Sequence, residues 1–448
     1  MLAEAFGIIR EISAHGRIAV IVGGAVRDLL IGRPLTDVDI ATDMPLDELS
    51  SLFKTHTVGR SETFETVVIT RGGHAFEISR FRGGGQELER RDAEAPLGVG
   101  RDPLVEDTAH RDFTVNALGI GLDGDVVDLQ GGRDDLNNRV IRCVGSPAER
   151  FAEDPVRPLR AVRLAACLGF TIEARTAEAL ARAAPRRAAV AGERIGKEIL
   201  KLASQPGATL AAGITLMDRF GMLGSLLPEV RELQGLAQPI EWHPEGDAWE
   251  HTLAALRAST SSDPAVNMAV LLHDVGKAAA HREAAGGHHY HGHERAGARI
   301  AGAVARRLYL PQRLRTAITF AVEHHVQAGR LEALRRSKRL ALLAGPHWPV
   351  LRSVALCDRA ARGDAAAVAR LDAAFRAAEA DAAAELDTRG GAPVISGNRI
   401  MELTGLAPGP QVGEIQRRVS AWALDNRVED RARIESAVVR TAGRRSAG

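Results

Sequence analysis

The sequence predicts an α+β protein: an α/β head with mixed strands, followed by a remainder that is almost entirely α-helical. Three observations carry this expectation. Strand-like apolar runs are confined to the part before residue 147; beyond it, apolar residues recur at helical spacing with Ala, Leu and Arg dominant; and 448 residues suffice for two to four domains, each burying its own core. In chain order, MLAEAFGIIREISAHGR reads as a helix, without the basic start, apolar centre and cleavage site of an export signal. Residues 17–24, RIAVIVGG, read as a buried strand ending in a glycine turn, and AVRDLLIG as a helix closed by Gly32. Further strands are expected at TDVDIAT, FETVVIT, HAFEISRF and DVVDL. The Gly-rich, charged stretch between Arg82 and His110 has no period and is long enough to read as a functional loop. An Ala-rich helical tract covers 360–387, and a break from Gly390 to Pro393 sets off the last segment.

Composition excludes several classes. With 45% hydrophobic and 26% charged residues, no stretch approaches the ~20 apolar residues that cross a bilayer, so no membrane partner is expected. The three cysteines, Cys143, Cys167 and Cys357, are far apart and form no CxxC pair, which argues against a disulfide framework or thiolate zinc site and for a cytoplasmic location. The 58 basic and 57 acidic residues balance overall, yet residues 139–201 hold thirteen Arg or Lys against seven acids, and 415–448 hold eight Arg against four. These are two landing zones for phosphate backbones, although charge runs are more often solvated helix faces.

Asp37 and Asp39 stand two apart on an expected strand, which sends both carboxylates to one face while Val38 and Ile40 face the core. Converging carboxylates repel unless a cation lies between them, and oxygen-only ligands suit Mg²⁺. Gly23 and Gly24 offer a turn for a triphosphate at the start of the helix that carries Arg27. Either feature alone is a weak signal, since a lone DxD is usually a pair of solvated acids.

In sequence order, VGGAVRDLLIGRPLTDVDIAT, HRDFTVNALGI, DLQGGRDDL, EDPVRPLRAVRLAACLGF and GERIGKEILK resemble the five motifs of the class II tRNA nucleotidyltransferases, the CCA-adding enzymes and bacterial poly(A) polymerases, over some 200 residues. The resemblance implies a polymerase-β-like head (1–146), a helical base-reading neck (147–240), an HD helical body (241–362) and a helical tRNA-binding tail (363–448). It implies template-independent addition of C, C and A to the 3′ end of tRNA from CTP and ATP, with Mg²⁺ ions on Asp37 and Asp39. Gly24, Arg27 and Arg111 then hold the nucleotide's phosphates and sugar, and Glu77 and Asp112 are both open as a third carboxylate. Asp154 and Arg157 become an acceptor and a donor that read the base edge, supported by Arg160 and Arg163, all four expected along one side of a single helix. His110 stands where the family usually has Arg. The long loop after Arg82 favours CCA over CC-only addition; A-only and poly(A) addition are the alternatives within the family.

Ten of the fifteen histidines fall between 243 and 325. The set His251, His273, Asp274, His293, His324 and Asp358 resembles an HD phosphohydrolase domain, which implies a divalent transition metal, phosphatase or 2′,3′-cyclic phosphodiesterase chemistry, and Lys277 as a phosphate contact. His281, His288, His289 and His291 fall on an expected Gly-rich loop and are read as solvated, with His291 the exception. The rival from another class is an HD phosphohydrolase whose head is a tRNA-binding relic, and a third possibility is a non-enzymatic RNA-binding scaffold.

Overall fold

The computed structural model describes residues 1–61, 64–81, 103–183, 191–241, 243–284, 287–388 and 394–443. They divide into two compact units, residues 1–202 with 212–226, and residues 203–211 with 227–448.

The first unit is built on a seven-stranded sheet in the spatial order β3-β4-β5-β2-β1-β6-β7. Its elements run α1 (Leu2–Ala14), β1 (Ala19–Val22), α2 (Gly24–Leu30), β2 (Asp39–Thr42), α3 (Leu46–Leu52), β3 (Thr55–Ser61), β4 (Phe64–Arg71), β5 (His74–Arg80), α4 (Pro103–Ala109), β6 (Leu118–Ile120), β7 (Val126–Asp128) and α5 (Gly132–Asn137). Every residue of β1 is buried, as a central strand covered on both faces requires. Val20 and Val22 pack with Ala41, Phe81 and Leu104, and α1 contributes Ala5, Ile8, Ile9 and Ile12, a stripe at helical spacing. β2 pairs antiparallel with β1 and parallel with β5, and this places Asp39 level with Val22 on one side and Glu77 on the other.

The same unit continues through β8 (Val140–Ile141), α6 (Pro147–Glu153), α7 (Arg157–Leu168), β9 (Thr171–Ile172), α8 (Ala174–Arg182) and α9 (Gly192–Ala203). β8 and β9 form a short parallel pair. Then come α10 (Gly207–Arg219), α11 (Leu223–Leu226) and α12 (Pro228–Arg231).

The second unit is helical. Around its centre lie α13 (Ala248–Ala258), α14 (Pro264–Leu272), α15 (Lys277–Ala280), α16 (His293–Arg307), α17 (Gln312–Ala328), α18 (Arg336–Leu343) and α19 (Trp348–Ala361). After α20 (Ala365–Thr388), the helices α21 (Gly397–Thr404), α22 (Pro410–Asp425) and α23 (Arg431–Gly443) close over Ile400, Val412, Ile415, Val419 and Val438. Among the described residues, no single helix is long and apolar enough to cross a membrane.

Several expectations need correction. Asp37 precedes β2 rather than lying in it, although the alternation holds, with Val38 and Ile40 buried. The expected His-rich loop contains an antiparallel hairpin, β10 (Arg282–Ala284) and β11 (Gly287–His289). Asp154 ends α6 while Arg157 opens α7, so the four polar residues do not share one helix; Pro155 cannot continue the backbone hydrogen bonding of α6. Of the expected loop, residues 82–102 lie outside the described residues, and 103–109 form α4. The break at 390–393 lies outside them too.

One close approach fixes α5. A methyl group at Gly132 would stand 2.3 Å from the Thr114 carbonyl oxygen, backbone that cannot swing aside. We expect Gly132→Ala to lower the melting temperature of the first unit by an amount that corresponds to ~1–3 kcal/mol of overpacking. Calorimetry of the full chain checks this, with the transition of the helical unit unmoved.

Candidate functional site

In the first unit, β1 delivers the chain to Gly23, whose φ of 79° lies in the left-handed region and lets α2 start at once. A Cβ at Gly23 would meet Arg111 Nη1 at 3.4 Å and Asp39 Oδ2 at 3.8 Å, so the turn lies between the guanidinium and the carboxylate. Asp39 is half-buried, and burial, with the charges of Asp37 and Glu77, pushes its carboxyl up to about 6, against the pull of Arg111 and Arg160. Asp37 and Glu77 are exposed. The three acids therefore share one electrostatic environment where the start of β2 lies level with the middle of β5.

Asp112, the other third-acid possibility, has a different task. It is buried, accepts hydrogen bonds from the Phe113 amide at 2.8 Å and Asn116 Nδ2 at 3.2 Å, and pairs with Arg160 Nε at 2.7 Å. Burial opposes its ionisation, but Arg160 and these donors hold its pKa below the usual range. Asn116 passes the order on: its side-chain oxygen accepts from Arg27 Nη1 at 2.7 Å, and its carbonyl from Arg111 Nη1 at 3.4 Å. Buried Asp107 grips Arg111 from the other side, 2.7 and 2.9 Å from two of its nitrogens. Asp107 and Asn116 escaped the sequence reading, because a polar residue that organises its neighbours has no spacing signature.

The downstream residues are each held individually. Asp154 Oδ1 accepts from the Val156 amide at 3.1 Å, and Oδ2 pairs with Arg194 at 2.7 Å. Burial raises its pKa, but the Arg194 hydrogen bond, the Val156 amide and the charges of Arg194 and Arg157 together hold it below the usual range. Arg157 donates to Glu153, Arg150 O and His110 O at 2.7, 3.1 and 3.2 Å. Arg163 pairs with Glu198 at 2.5 Å. Gly24 lies against the guanidinium of Arg27, 3.4 Å from where its Cβ would be.

The second unit brings five of the six expected ligands together and replaces the sixth. His251 on α13, His273 and Asp274 after α14, His293 at the start of α16 and Asp358 on α19 converge, joined by His325 rather than His324. The reason is helical phase. On α17 the buried stripe runs Leu314, Ala317, Ile318, Ala321, Val322, His325 and Ala328, whereas His324 lies beside it against the Phe320 ring at 4.5 Å. That period was available in the sequence. His291 is also outside the cluster: it is exposed and stacked on His289 at 5.8 Å. His281 stacks on Tyr290 at 5.4 Å, and the side chain of His288 lies outside the described part of the chain.

Four members, His251, His273, Asp274 and His325, are no more than 3% exposed. The Nδ1 atoms of His273, His293 and His325 lie 2.7, 2.8 and 2.7 Å from the carbonyls of Val270, Tyr290 and Val322. A carbonyl only accepts, so each Nδ1 carries the proton and, in a neutral ring, each Nε2 presents a lone pair. Nε2 of His293 and His325 nevertheless face each other at 3.2 Å, and those of His251 and His273 at 3.3 Å. Such pairs need a cation between them, a proton or a metal ion. Burial, with His273 nearby, pushes His325 down to about 3, while His251, against its own burial, is raised to about 9 by Asp358 and Glu245. Asp274 touches both groups, 3.2 Å from His273 and 3.4 Å from His293, and Lys277 Nζ lies 2.6 Å from it. Desolvation notwithstanding, His273 and Lys277 hold Asp274 well below the carboxylate range. Gly276 permits this assembly, since a methyl there would stand 2.0 Å from the His293 carbonyl and 2.4 Å from the Gly297 amide.

The chain matches the Poly A polymerase head domain over residues 19–142 and the family described as the probable RNA and SrmB-binding site of polymerase A over 169–233. The A-adding tRNA nucleotidyltransferase of Deinococcus radiodurans is 34% identical over 421 residues, 90% of each chain. The CCA-adding enzyme of Geobacillus thermodenitrificans is 41% identical over 240 residues, so the match spans 56% of that relative and 53% of this chain. Among solved structures, the Bacillus stearothermophilus CCA-adding enzyme in complex with CTP superposes with a TM-score of 0.69 at 25% identity, covering 99% of this chain and 98% of that one.

The exchange of His324 for His325 is directly testable. His325→Ala should weaken binding of Co²⁺ to the metal-free chain at least tenfold, whereas His324→Ala should leave it within twofold, both read by calorimetric titration.

Proposed function

Because the chain belongs to the tRNA nucleotidyltransferase family, we propose that it adds C, C and A in turn to the 3′ end of tRNA, using CTP and ATP. The observation that carries this reading is the cluster of Asp37, Asp39 and Glu77 facing the Gly23 turn and the anchored Arg111. An all-oxygen donor set of high charge density fits Mg²⁺, and the Asp39 carboxyl is raised first by its burial and then by the neighbouring charges of Asp37 and Glu77, which a bound cation would offset. Asp37 and Asp39 hold the ions, with Glu77 as the third carboxylate and Asp112 as the internal support. Bound Mg²⁺ supplies activation of the terminal hydroxyl and neutralisation of the triphosphate. Arg111 and Arg27, tied by Asp107 and Asn116, orient the phosphates and sugar without having to be ordered at each turnover. Asp154 accepts from the base edge and Arg157 donates to it, while Arg160 and Arg163 keep α7 in place through Asp112 and Glu198.

A second reading, addition of A alone, has in its favour the likeness to the Deinococcus enzyme along nearly the whole chain. For the helical unit we propose a separate phosphohydrolase centre. His251, His273 and Asp274 form one ligand group and Asp274, His293 and His325 another, with Asp358 beside His251. Mixed imidazole and carboxylate donors fit divalent transition metals, which when bound supply an activated water against phosphate monoesters or 2′,3′-cyclic phosphates at RNA 3′ ends. Lys277 neutralises charge beside Asp274.

Incubation with tRNA lacking its 3′ end, labelled CTP and ATP, and Mg²⁺ tests the first reading. Growth by three nucleotides supports it, growth by A only, and only when the tRNA supplied already ends in CC, selects the second, and no incorporation into either tRNA refutes both. Asp39→Ala should reduce incorporation by at least 10³-fold and spare any Co²⁺-dependent release of phosphate from a 2′,3′-cyclic end, because the two centres are built from different residues.

The raised Asp39 carboxyl also sets a pH profile. Below about 6 the proton occupies the oxygen that Mg²⁺ needs, and above it the carboxylate is free. At subsaturating Mg²⁺, incorporation should therefore rise between pH 5 and 7 and then level off, and excess Mg²⁺ should move the midpoint to lower pH. A flat profile would count against this role for Asp39.

A further inference from the structure

We propose that Glu245, in the segment before α13, is the positioning residue that presents His251 to the metal ions of the helical unit. The inference rests on the reading that this cluster binds divalent metal, and it adds a residue that binds no ion itself. His273, His293 and His325 are each oriented by a backbone carbonyl three residues earlier. Among the described ligands His251 is the exception: its Nδ1 is hydrogen-bonded to the carboxylate oxygen Oε1 of Glu245. A carboxylate without a proton only accepts, so Nδ1 donates and Nε2 is the atom left for an ion. That Nε2 faces Asp358 Oδ1 at 3.1 Å, His273 Nε2 at 3.3 Å and Asp274 Oδ2 at 3.7 Å.

The same Glu245 Oε1 takes a second hydrogen bond from His243 Nδ1 at 3.0 Å, and the His243 ring stands edge-on to His251 with centroids 4.8 Å apart. One oxygen thus fixes two imidazoles, and the second braces the plane of the first. Both side chains are nearly buried, Glu245 at 10% and His243 at 12% exposure, so water does not compete freely for the contact. A carboxylate behind a ligating imidazole makes the ring more basic and stops it rotating, and loss of such a partner typically costs 10–100-fold in metal affinity. The ligand atoms of His243, Glu245 and His251 also lie within 4.8 Å of one another, so the rival arrangement is a further ion held by these three.

The test is a Co²⁺ titration of the full chain freed of metal by chelation, followed by calorimetry and by the visible ligand-field spectrum. Circular dichroism of each variant is recorded alongside. For Glu245→Ala we expect the wild-type number of ions, affinity lower by 10–100-fold and an altered spectrum. Glu245→Gln keeps a neutral acceptor of the same shape and should recover most of the affinity. Unchanged affinity and spectrum in Glu245→Ala would overturn the proposal, as would loss of one whole equivalent of Co²⁺, which would make Glu245 a ligand. Should the alanine variant fail to fold, Glu245→Gln decides alone: the proposal requires a shifted spectrum with the ion count kept, and an unshifted one overturns it. Absence of Co²⁺ binding by the wild type would instead remove the metal reading itself, a result distinct from failure of Glu245.

Discussion

The head is organised around one buried charge. Asp112 is largely buried, with 9% of its surface exposed, and a carboxylate there without partners would be disfavoured. It is ionised because Arg160, the Phe113 amide and Asn116 surround it. Those partners are in turn fixed by it: Arg160 is drawn from α7 toward the sheet, and Asn116 is oriented to receive Arg27 and Arg111. The positive groups around the Gly23 turn are thus held through a largely buried acid, while of the acids that repel one another Asp37 and Glu77 are exposed and Asp39 is half-buried. Preorganised charge of this kind does not have to be reordered when a substrate arrives.

The two units solve related problems with different donors. The head presents only carboxylate oxygens, in strand register, and the β2–β5 pairing sets the separation of Asp39 and Glu77. The helical unit presents imidazole nitrogens from four helices or their ends, and Asp274 is shared by the His251–His273 group and the His293–His325 group. Hard, strongly hydrated ions suit the first arrangement and borderline transition ions the second. A strand edge spaces ligands by backbone hydrogen bonding, whereas a helical bundle can bring residues more than a hundred positions apart, such as His251 and Asp358, to 3.1 Å.

What the sequence displayed follows from this contrast. Asp37 and Asp39 were visible because a period of two links chain position to face, and that held even though β2 begins only at Asp39. The histidines were visible as a density, but their selection was a matter of phase: His324 and His325 differ by one residue and by about 100° around α17, and only the apolar stripe tells them apart. The spacing of three that joins Asp154 to Arg157 runs straight across Pro155, where the backbone leaves α6 and α7 begins, so the period alone suggests one helix where there are two. Asp107, Asn116, Arg194 and Glu245 act through contacts across 4, 89, 40 and 6 positions. Three of these partnerships have no local period that could announce them, and the fourth is an ordinary helical interval that sequence alone leaves without a purpose.

Gly276 has a consequence of its own. With the carbonyl of His293 and the amide of Gly297 crowded against it, α16 approaches the Asp274 segment as closely as bare backbone allows. Any larger residue would force the two apart and carry His293 off with its helix. A single codon change at Gly276 would therefore disperse the proposed imidazole centre while leaving every residue of the proposed nucleotidyl-transfer site in place, so the two proposed chemistries are separable by mutation.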